Sequence, residues 1–228
     1  TLSMMRQFGI DAEMKNGTCY VKNTKEFGLS EYEIEPDVSG ACYFYAMAPL
    51  LKTEVTVFGV HKNSLQGDIK FLEALQQMGC SLYEEAEGIR LSGRSLLAYH
   101  GLEISMKDFS DQTMTMAAIA PFADTPTLIR NVGHIQFQES DRLHAILKEL
   151  SRMGIRCEEV KEEAGLRIYP GEIRETQVET YEDHRMAMAF SLPGVKTGKI
   201  TIKNPGCCRK TFESYFELID MLADGQEV

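Results

Sequence analysis

Asp183-His-Arg-Met-Ala-Met-Ala-Phe190 is an aspartate followed by small and apolar residues, and the chain contains three versions of it. Asp111-Gln-Thr-Met-Thr-Met-Ala-Ala-Ile-Ala120 lies 72 residues upstream, and Asp37-Val-Ser-Gly-Ala-Cys-Tyr-Phe-Tyr-Ala-Met-Ala48 a further 74. Recurrence at such an interval marks a repeat architecture, in which each unit buries its apolar face against the next. Downstream of each copy comes a β-branched run: Glu54-Val-Thr-Val-Phe-Gly-Val60, Thr127-Leu-Ile-Arg-Asn-Val132 and Lys199-Ile-Thr-Ile-Lys-Asn204. Such runs read as strands. Two units resume with helical spacing, from Asp68 to Met78 and from Asp141 to Met153. Each of these helices ends at a glycine between apolar residues, Gly79 and Gly154, with two short strands to follow. Met4 to Ile10 repeats that ending near the start of the chain. The predicted unit is therefore helix, strand, helix, strand, strand. Two complete units span about 37–105 and 111–181, with an opening half-unit from 183 and a closing half-unit from 1 to about 23. The unmatched closing half predicts a chain cut from something longer; the alternative is that the terminal halves complete one another.

The 228 residues are 43% apolar and 25% charged, the profile of one large or two small globular domains. That profile excludes a disordered segment and a disulfide miniprotein. A net charge of −10 repels nucleic acid and anionic membranes, so neither is an expected partner, and any anionic ligand needs a local cationic cluster. With no run of 18 apolar residues and no signal-peptide pattern at the N-terminus, the expected compartment is the cytoplasm. Cysteines at 19, 42, 80, 157, 207 and 208 lack the two-residue spacing of zinc or redox motifs and read as reduced, buried thiols. The five histidines supply no ligand spacing with them, so no structural metal is expected.

Pseudo-symmetry predicts that the helix N-termini, one at each aspartate and one after each polar loop, emerge at a common end. Unpaired N–H groups and the helix dipole make such an end attractive to anions. Asp37, Asp111, Asp183-His184-Arg185, His134 through Arg142 and Arg209-Lys210 all fall there. Each has a bland reading as well. The aspartates suit helix N-caps, and Glu139 with Arg142, three apart, suits a surface ion pair. Arg185 and Lys210 stand where positive charge lacks an evident structural benefit, which points to an anionic ligand and an electropositive pocket wall. Carboxylates at an anion site weaken binding by repulsion, so Asp111 and Glu139 beside these cations point to proton transfer.

Glu179-Thr-Tyr-Glu-Asp-His-Arg-Met-Ala-Met188, Gln138-Glu-Ser-Asp-Arg142, Asn63-Ser-Leu-Gln-Gly-Asp68 and Pro205-Gly-Cys-Cys-Arg-Lys-Thr-Phe212 resemble the signature segments of the 5-enolpyruvylshikimate-3-phosphate synthase family. The resemblance implies an α/β fold of repeated βαβαββ units, one globe of the two-globe, inside-out α/β barrel of enolpyruvyl transferases. Residues 1–33 correspond to the tail of the N-terminal globe, which is otherwise missing as a partner, and 34–228 to the C-terminal globe. The implied reaction moves the enolpyruvyl group of phosphoenolpyruvate to shikimate 3-phosphate, in aromatic amino-acid biosynthesis, with no cofactor and no metal.

Position by position, the resemblance makes Asp111, Glu139 and His184 the catalytic candidates. It assigns Arg142, Arg185 and Lys210 to phosphoenolpyruvate, and Asp111, His134 and Gln138 to shikimate 3-phosphate. Gln136 and Gln138 replace cations of the family pattern, and the loss of a charge-assisted bond at Gln138 is worth on the order of 1 kcal/mol. Half a site implies weak phosphoenolpyruvate binding and no turnover by this chain alone. Two other readings accompany this one: a UDP-sugar enolpyruvyl transferase, and a non-catalytic anion-binding module.

Overall fold

The computed structural model describes residues 1–23 and 26–223, so 24–25 of the expected tail and 224–228 of the expected globe lie outside it. The chain opens with α1 (Leu2–Gln7) and an antiparallel hairpin of β1 (Ala12–Lys15) and β2 (Thr18–Val21). Asn16 and Gly17 form its turn at φ 50° and 78°, the left-handed pair that matches the twist of the flanking strands. The first unit runs through α2 (Val38–Tyr45), α3 (Met47–Leu51), β3 (Glu54–Phe58), α4 (Lys70–Gln77), β4 (Ser81–Glu84) and β5 (Gly88–Ser92). The second comprises β6 (Glu103–Ser105), α5 (Thr113–Ile119), β7 (Thr127–Arg130), α6 (Arg142–Arg152), β8 (Cys157–Val160) and β9 (Gly165–Ile168). The third comprises β10 (Thr176–Val178), α7 (His184–Thr197), β11 (Ile200–Ile202) and α8 (Tyr215–Ala223).

Sheet order confirms the repeat. The antiparallel set β3-β5-β4 recurs as β7-β9-β8. β6 joins β7 in parallel and β10 joins β11 in parallel, each crossover passing through a helix, α5 or α7. The sequence reading lacks these two leading strands, which at three residues each are too short to show an alternating run. It also treats the segment after Asp37 as one helix, whereas the chain resets at Ala46 between α2 and α3.

Helices occupy the middle of this fold. Every residue of α5 is buried, as is the stretch from Met186 to Pro193 in α7, and the two pack on each other and on neighbouring helices. Ala117, Ala118, Ala187 and Ala189 keep the axes close, and a helix apolar all round has to be enclosed all round. α4 and α6 instead bury one stripe each, Phe71, Leu72, Ala74 and Leu75 in the former and Leu143, Ala145, Ile146 and Leu150 in the latter. Truncating a side chain such as Leu75 to alanine costs about 2–5 kcal/mol. Among the strands, β3, β4 and β8 contain no buried residue and carry outer surface, whereas β5, β7 and β9 are mostly buried. Gly198 ends α7 in the left-handed conformation, φ 67°, where a residue without Cβ is unstrained.

The buried apolar cluster runs from Val38 to Ile219 and takes nothing from the described residues among the first 37. Within them Phe8 packs against Phe27 and Tyr32, with ring centroids 6.3 and 5.0 Å apart, Ile34 is 84% exposed, and Glu35 and Pro36 are tied to the body by Ser64 and Gln66. Cys42, Cys80 and Cys208 are buried thiols as expected. Cys19 is not, because its strand β2 is exposed on both faces, and Cys157 and Cys207 are half-buried. Among the described residues no helix is long and apolar enough to cross a membrane.

Candidate anion and proton-transfer site

Five helix starts meet at one end of the molecule, and hydrogen bonds join them. Asp37 caps α2, accepting from Ser39 N at 2.9 Å, and Val38 N donates to Gln66 Oε1 just ahead of α4. Ser39 Oγ donates to Asp68, and Gln112 Nε2 reaches Ser39 O at 3.5 Å, tying in the start of α5. Arg142, first residue of α6, bonds Asp111 before α5 and Asp183, the cap of α7. This is the common end that the repeat predicts, with N-terminal N–H groups and positive dipole ends gathered together.

Arg142 is the hub. Its side chain is 3% exposed and all five of its N–H positions meet an acceptor. Nε donates to Asp183 Oδ2 (2.7 Å), Nη1 to Asp111 Oδ1 (3.2 Å) and Gln138 Oε1, and Nη2 to Glu139 Oε2 and Asp183 Oδ1 (both 3.4 Å). The surface ion pair expected of Glu139 and Arg142 is therefore corrected: Glu139 precedes the helix, and the arginine lies inside the protein. An anion reaches Arg142 only by exchanging with one of these acceptors.

Arg185 Nη2 pairs with Asp111 Oδ2 at 2.8 Å, and Lys210 Nζ with Glu139 Oε1 at 2.9 Å. Both cations thus have carboxylate partners that sequence spacing could not reveal. Three cations, Arg142, Arg185 and Lys210, face three carboxylates, Asp111, Glu139 and Asp183, so the expected electropositive wall is formally balanced in this state. Lys210 is the solvent-facing member, its side chain 58% exposed, and the Glu139 hydrogen bond raises its pKa. Burial works against the Arg185 charge, yet the surrounding Tyr43, Asp111 and Asp68 raise its pKa.

Asp183 has no exposed surface. Burial pushes its pKa up, but the Arg142 hydrogen bond and charge, with Arg185 N and Ser140 Oγ, more than offset this and hold it below the usual carboxylate value. His184 moves the other way from an ordinary histidine. Burial, with Arg185 and Lys210, lowers its pKa against the opposing pull of Glu139 and Asp183, which favours the neutral ring. Its Nδ1 lies 2.9 Å from Glu139 Oε2 without the alignment of a hydrogen bond.

His134 joins the group at one remove, its Nε2 2.9 Å from Ser110 Oγ beside Asp111. Gln138 turns its amide oxygen to Arg142, and Gln136 Nε2 donates to Gly133 O at 2.7 Å, leaving Phe137 between them 82% exposed. The aspartates also part company. Asp37 and Asp183 cap helices, whereas Asp111 sits in a 3-10 turn, Ser110–Gln112, ahead of a helix with no side-chain cap. Ser140 and the second role of Asp183, as anchor of Arg142, escape the sequence reading. The available signal is that an Asp cap two residues before an arginine leaves one oxygen free for a distant donor.

One donor of each of Glu139, Asp183 and His184 lies within 4.8 Å of the others, a spacing open to a metal ion. Arg142 and Lys210 already occupy these carboxylates, so a cation would meet two others at contact distance. The donor set does not fit a resident metal.

A family model described as EPSP synthase (3-phosphoshikimate 1-carboxyvinyltransferase) matches residues 1–219. Curated relatives include the 3-phosphoshikimate 1-carboxyvinyltransferase of Nostoc sp., 42% identical over 217 residues, which cover 95% of this chain and 50% of the relative. The chloroplastic enzyme of that name from Arabidopsis thaliana is 36% identical over 230 residues, covering 97% and 44%. The chain spans about half the length of the curated relatives it matches. Among solved structures, EPSP synthase from Acinetobacter baumannii superposes with a TM-score of 0.79 at 24% identity, covering 95% of this chain and 52% of that one. The enolpyruvyl transferase NikO from Streptomyces tendae gives 0.69 at 18%, covering 97% and 52%. At these identities the two structures speak to the fold, which is the α/β architecture that the repeats predict.

Proposed function

The chain belongs to the EPSP synthase family, and from that premise we propose that the protein moves the enolpyruvyl group of phosphoenolpyruvate to the 5-hydroxyl of shikimate 3-phosphate, releasing phosphate. In this reading residues 34–228 form one wall of the active site and 1–33 belong to the other globe. The buried cluster that begins at Val38, and the separate packing of Phe8, Phe27 and Tyr32, support that division.

The observation that carries the proposal is the joining of Asp111, Glu139 and His184 to Arg142, Arg185 and Lys210 at converging helix starts. Addition needs a base for the attacking hydroxyl and an acid for the methylene carbon. Asp111 takes the hydroxyl proton while the Glu139–His184 pair delivers one to carbon, giving a tetrahedral intermediate with a new C–O bond. Elimination breaks the bond to phosphate, which departs with the proton held by Asp111, and returns a methyl proton to the same pair. Arg185 and Lys210 meet the phosphate and carboxylate charges, with Arg142 joining as its acceptors exchange. His134 and Gln138 face shikimate 3-phosphate. Carboxylates that hold the cations in the absence of ligand keep the charged groups aimed without an anion.

The test joins the chain to the additional length that its relatives possess and measures phosphate release with both substrates present. Release that requires both is the expected result. Release with a UDP-sugar acceptor instead, or tight phosphoenolpyruvate binding without turnover, would overturn it. The chain alone is expected to bind phosphoenolpyruvate weakly and to yield no product, because exclusion of water needs two walls.

A further inference from the structure

α6 carries two charged side chains on its buried face, and both hold the same loop. Arg142 at its start grips Asp183 (2.7 Å). Glu149, about two turns on, is fully buried and accepts from Tyr181 OH at 2.6 Å, Arg152 Nη1 at 2.6 Å and Glu179 N at 3.2 Å. Arg152 Nη2 donates in turn to Gln177 O at 2.6 Å. A buried carboxylate is unfavourable unless its lone pairs are filled, whereas an aliphatic residue in this stripe, beside Ala145, Ile146 and Leu150, would pack without that requirement. What only the carboxylate can do is accept from both sides of Thr180. Immediately afterwards Tyr181 and Glu182 both stand at φ 56°, a left-handed conformation that residues with a Cβ keep only where their surroundings impose it. Asp183, His184 and Arg185 follow directly. Asn204 Nδ2 holds Glu182 Oε1 at 2.8 Å from the segment that leads to Lys210.

We infer that Glu149 is a positioning residue: through Tyr181 it locks the left-handed Tyr181–Glu182 turn and so sets where His184 and Arg185 point, without touching a ligand itself. Its consequence for anions rests on the function proposed above, but the latch is a matter of geometry and is testable separately.

Tyr181→Phe in the full chain removes one hydroxyl from the latch and keeps the ring. Nitrogen NMR signals from the His184 ring and Arg185 Nε should shift and broaden. The Kd for inorganic phosphate should rise about tenfold, the penalty of a slight misplacement, with a modest fall in melting temperature as Glu149 loses one of its donors. Adding Glu182→Gly, which holds a positive φ unaided, should restore both readouts. Glu149→Gln, which turns an amide toward the Glu179 and Arg152 donors, should reproduce the shift, and if it fails to fold the Tyr181→Phe pair decides. Unchanged His184 and Arg185 signals in Tyr181→Phe, or no recovery on adding Glu182→Gly, would overturn the latch. Should the unaltered chain ignore phosphate altogether, the anion binding expected of this half of the site fails while the NMR signals still judge the latch.

Discussion

Asp111 and Asp183 occupy the same position in successive repeats and do different work. Asp183 closes α7, accepts from Arg185 N and is sealed against Arg142 with no exposed surface. Asp111 leaves its helix uncapped, remains 34% exposed, and turns its two oxygens to Arg142 and Arg185. A three-residue 3-10 turn causes the divergence by carrying Asp111 off the helix start. Pseudo-symmetry therefore brings equivalent residues to one place, and local backbone decides which of them caps a helix and which keeps its oxygens for other partners.

The sharpest way to break this contrast is Asp111→Ala in the whole protein, where loss of the proposed proton acceptor should lower kcat about 10²–10⁴-fold. The unfolding free energy should fall by only about 1–2 kcal/mol, because buried Arg142 keeps Asp183 when this partner is lost, although Arg185 gives up its carboxylate. Asp183→Ala reverses the pattern: it strands the buried Arg142 charge and should cost about 3–5 kcal/mol in equilibrium unfolding. Asp37→Ala, removing a cap with no buried cation on it, should cost only about 1 kcal/mol in the same measurement.

Acidification separates the groups further. His184 has a folded pKa below its ordinary 6.5, so the unfolded chain binds its proton first and stability falls as pH drops below that value. Asp183 has a folded pKa below 3.8, so its contribution is complete above that value and vanishes only as pH falls through the lower folded one. Unfolding curves at pH 7.5 and 5.5 should accordingly differ less for His184→Gln than for the natural sequence. The smallest effect belongs to Gln138→Lys. The new cation loses the amide oxygen that accepts from Arg142 and adds a charge for anions, so phosphate affinity should rise about fivefold, a gain of ~1 kcal/mol that salt erodes. Calorimetric titration at two ionic strengths checks it.

Much of this was legible in the residues. The recurring aspartate-led segments gave the inner helices because their small, apolar composition has no polar side to turn outward, and the repeat interval placed the helix starts together. β6 and β10 were hidden by their length, since three residues cannot display a period of two. Partners were hidden for a different reason. Arg185 with Asp111, and Lys210 with Glu139, are separated by 74 and 71 positions, so their pairing depends on tertiary geometry that composition does not encode. Cys19 illustrates the limit of local reading, because its surroundings resemble a buried strand and its hairpin is exposed.

The seven enclosed residues of α5 have a dynamic corollary. Water can reach their amides only when the surrounding layers part, so native-state hydrogen exchange should be slowest there and quicken outward through the sheets. The molecule's most persistent element is thus a short helix that would dissolve poorly and fold little by itself.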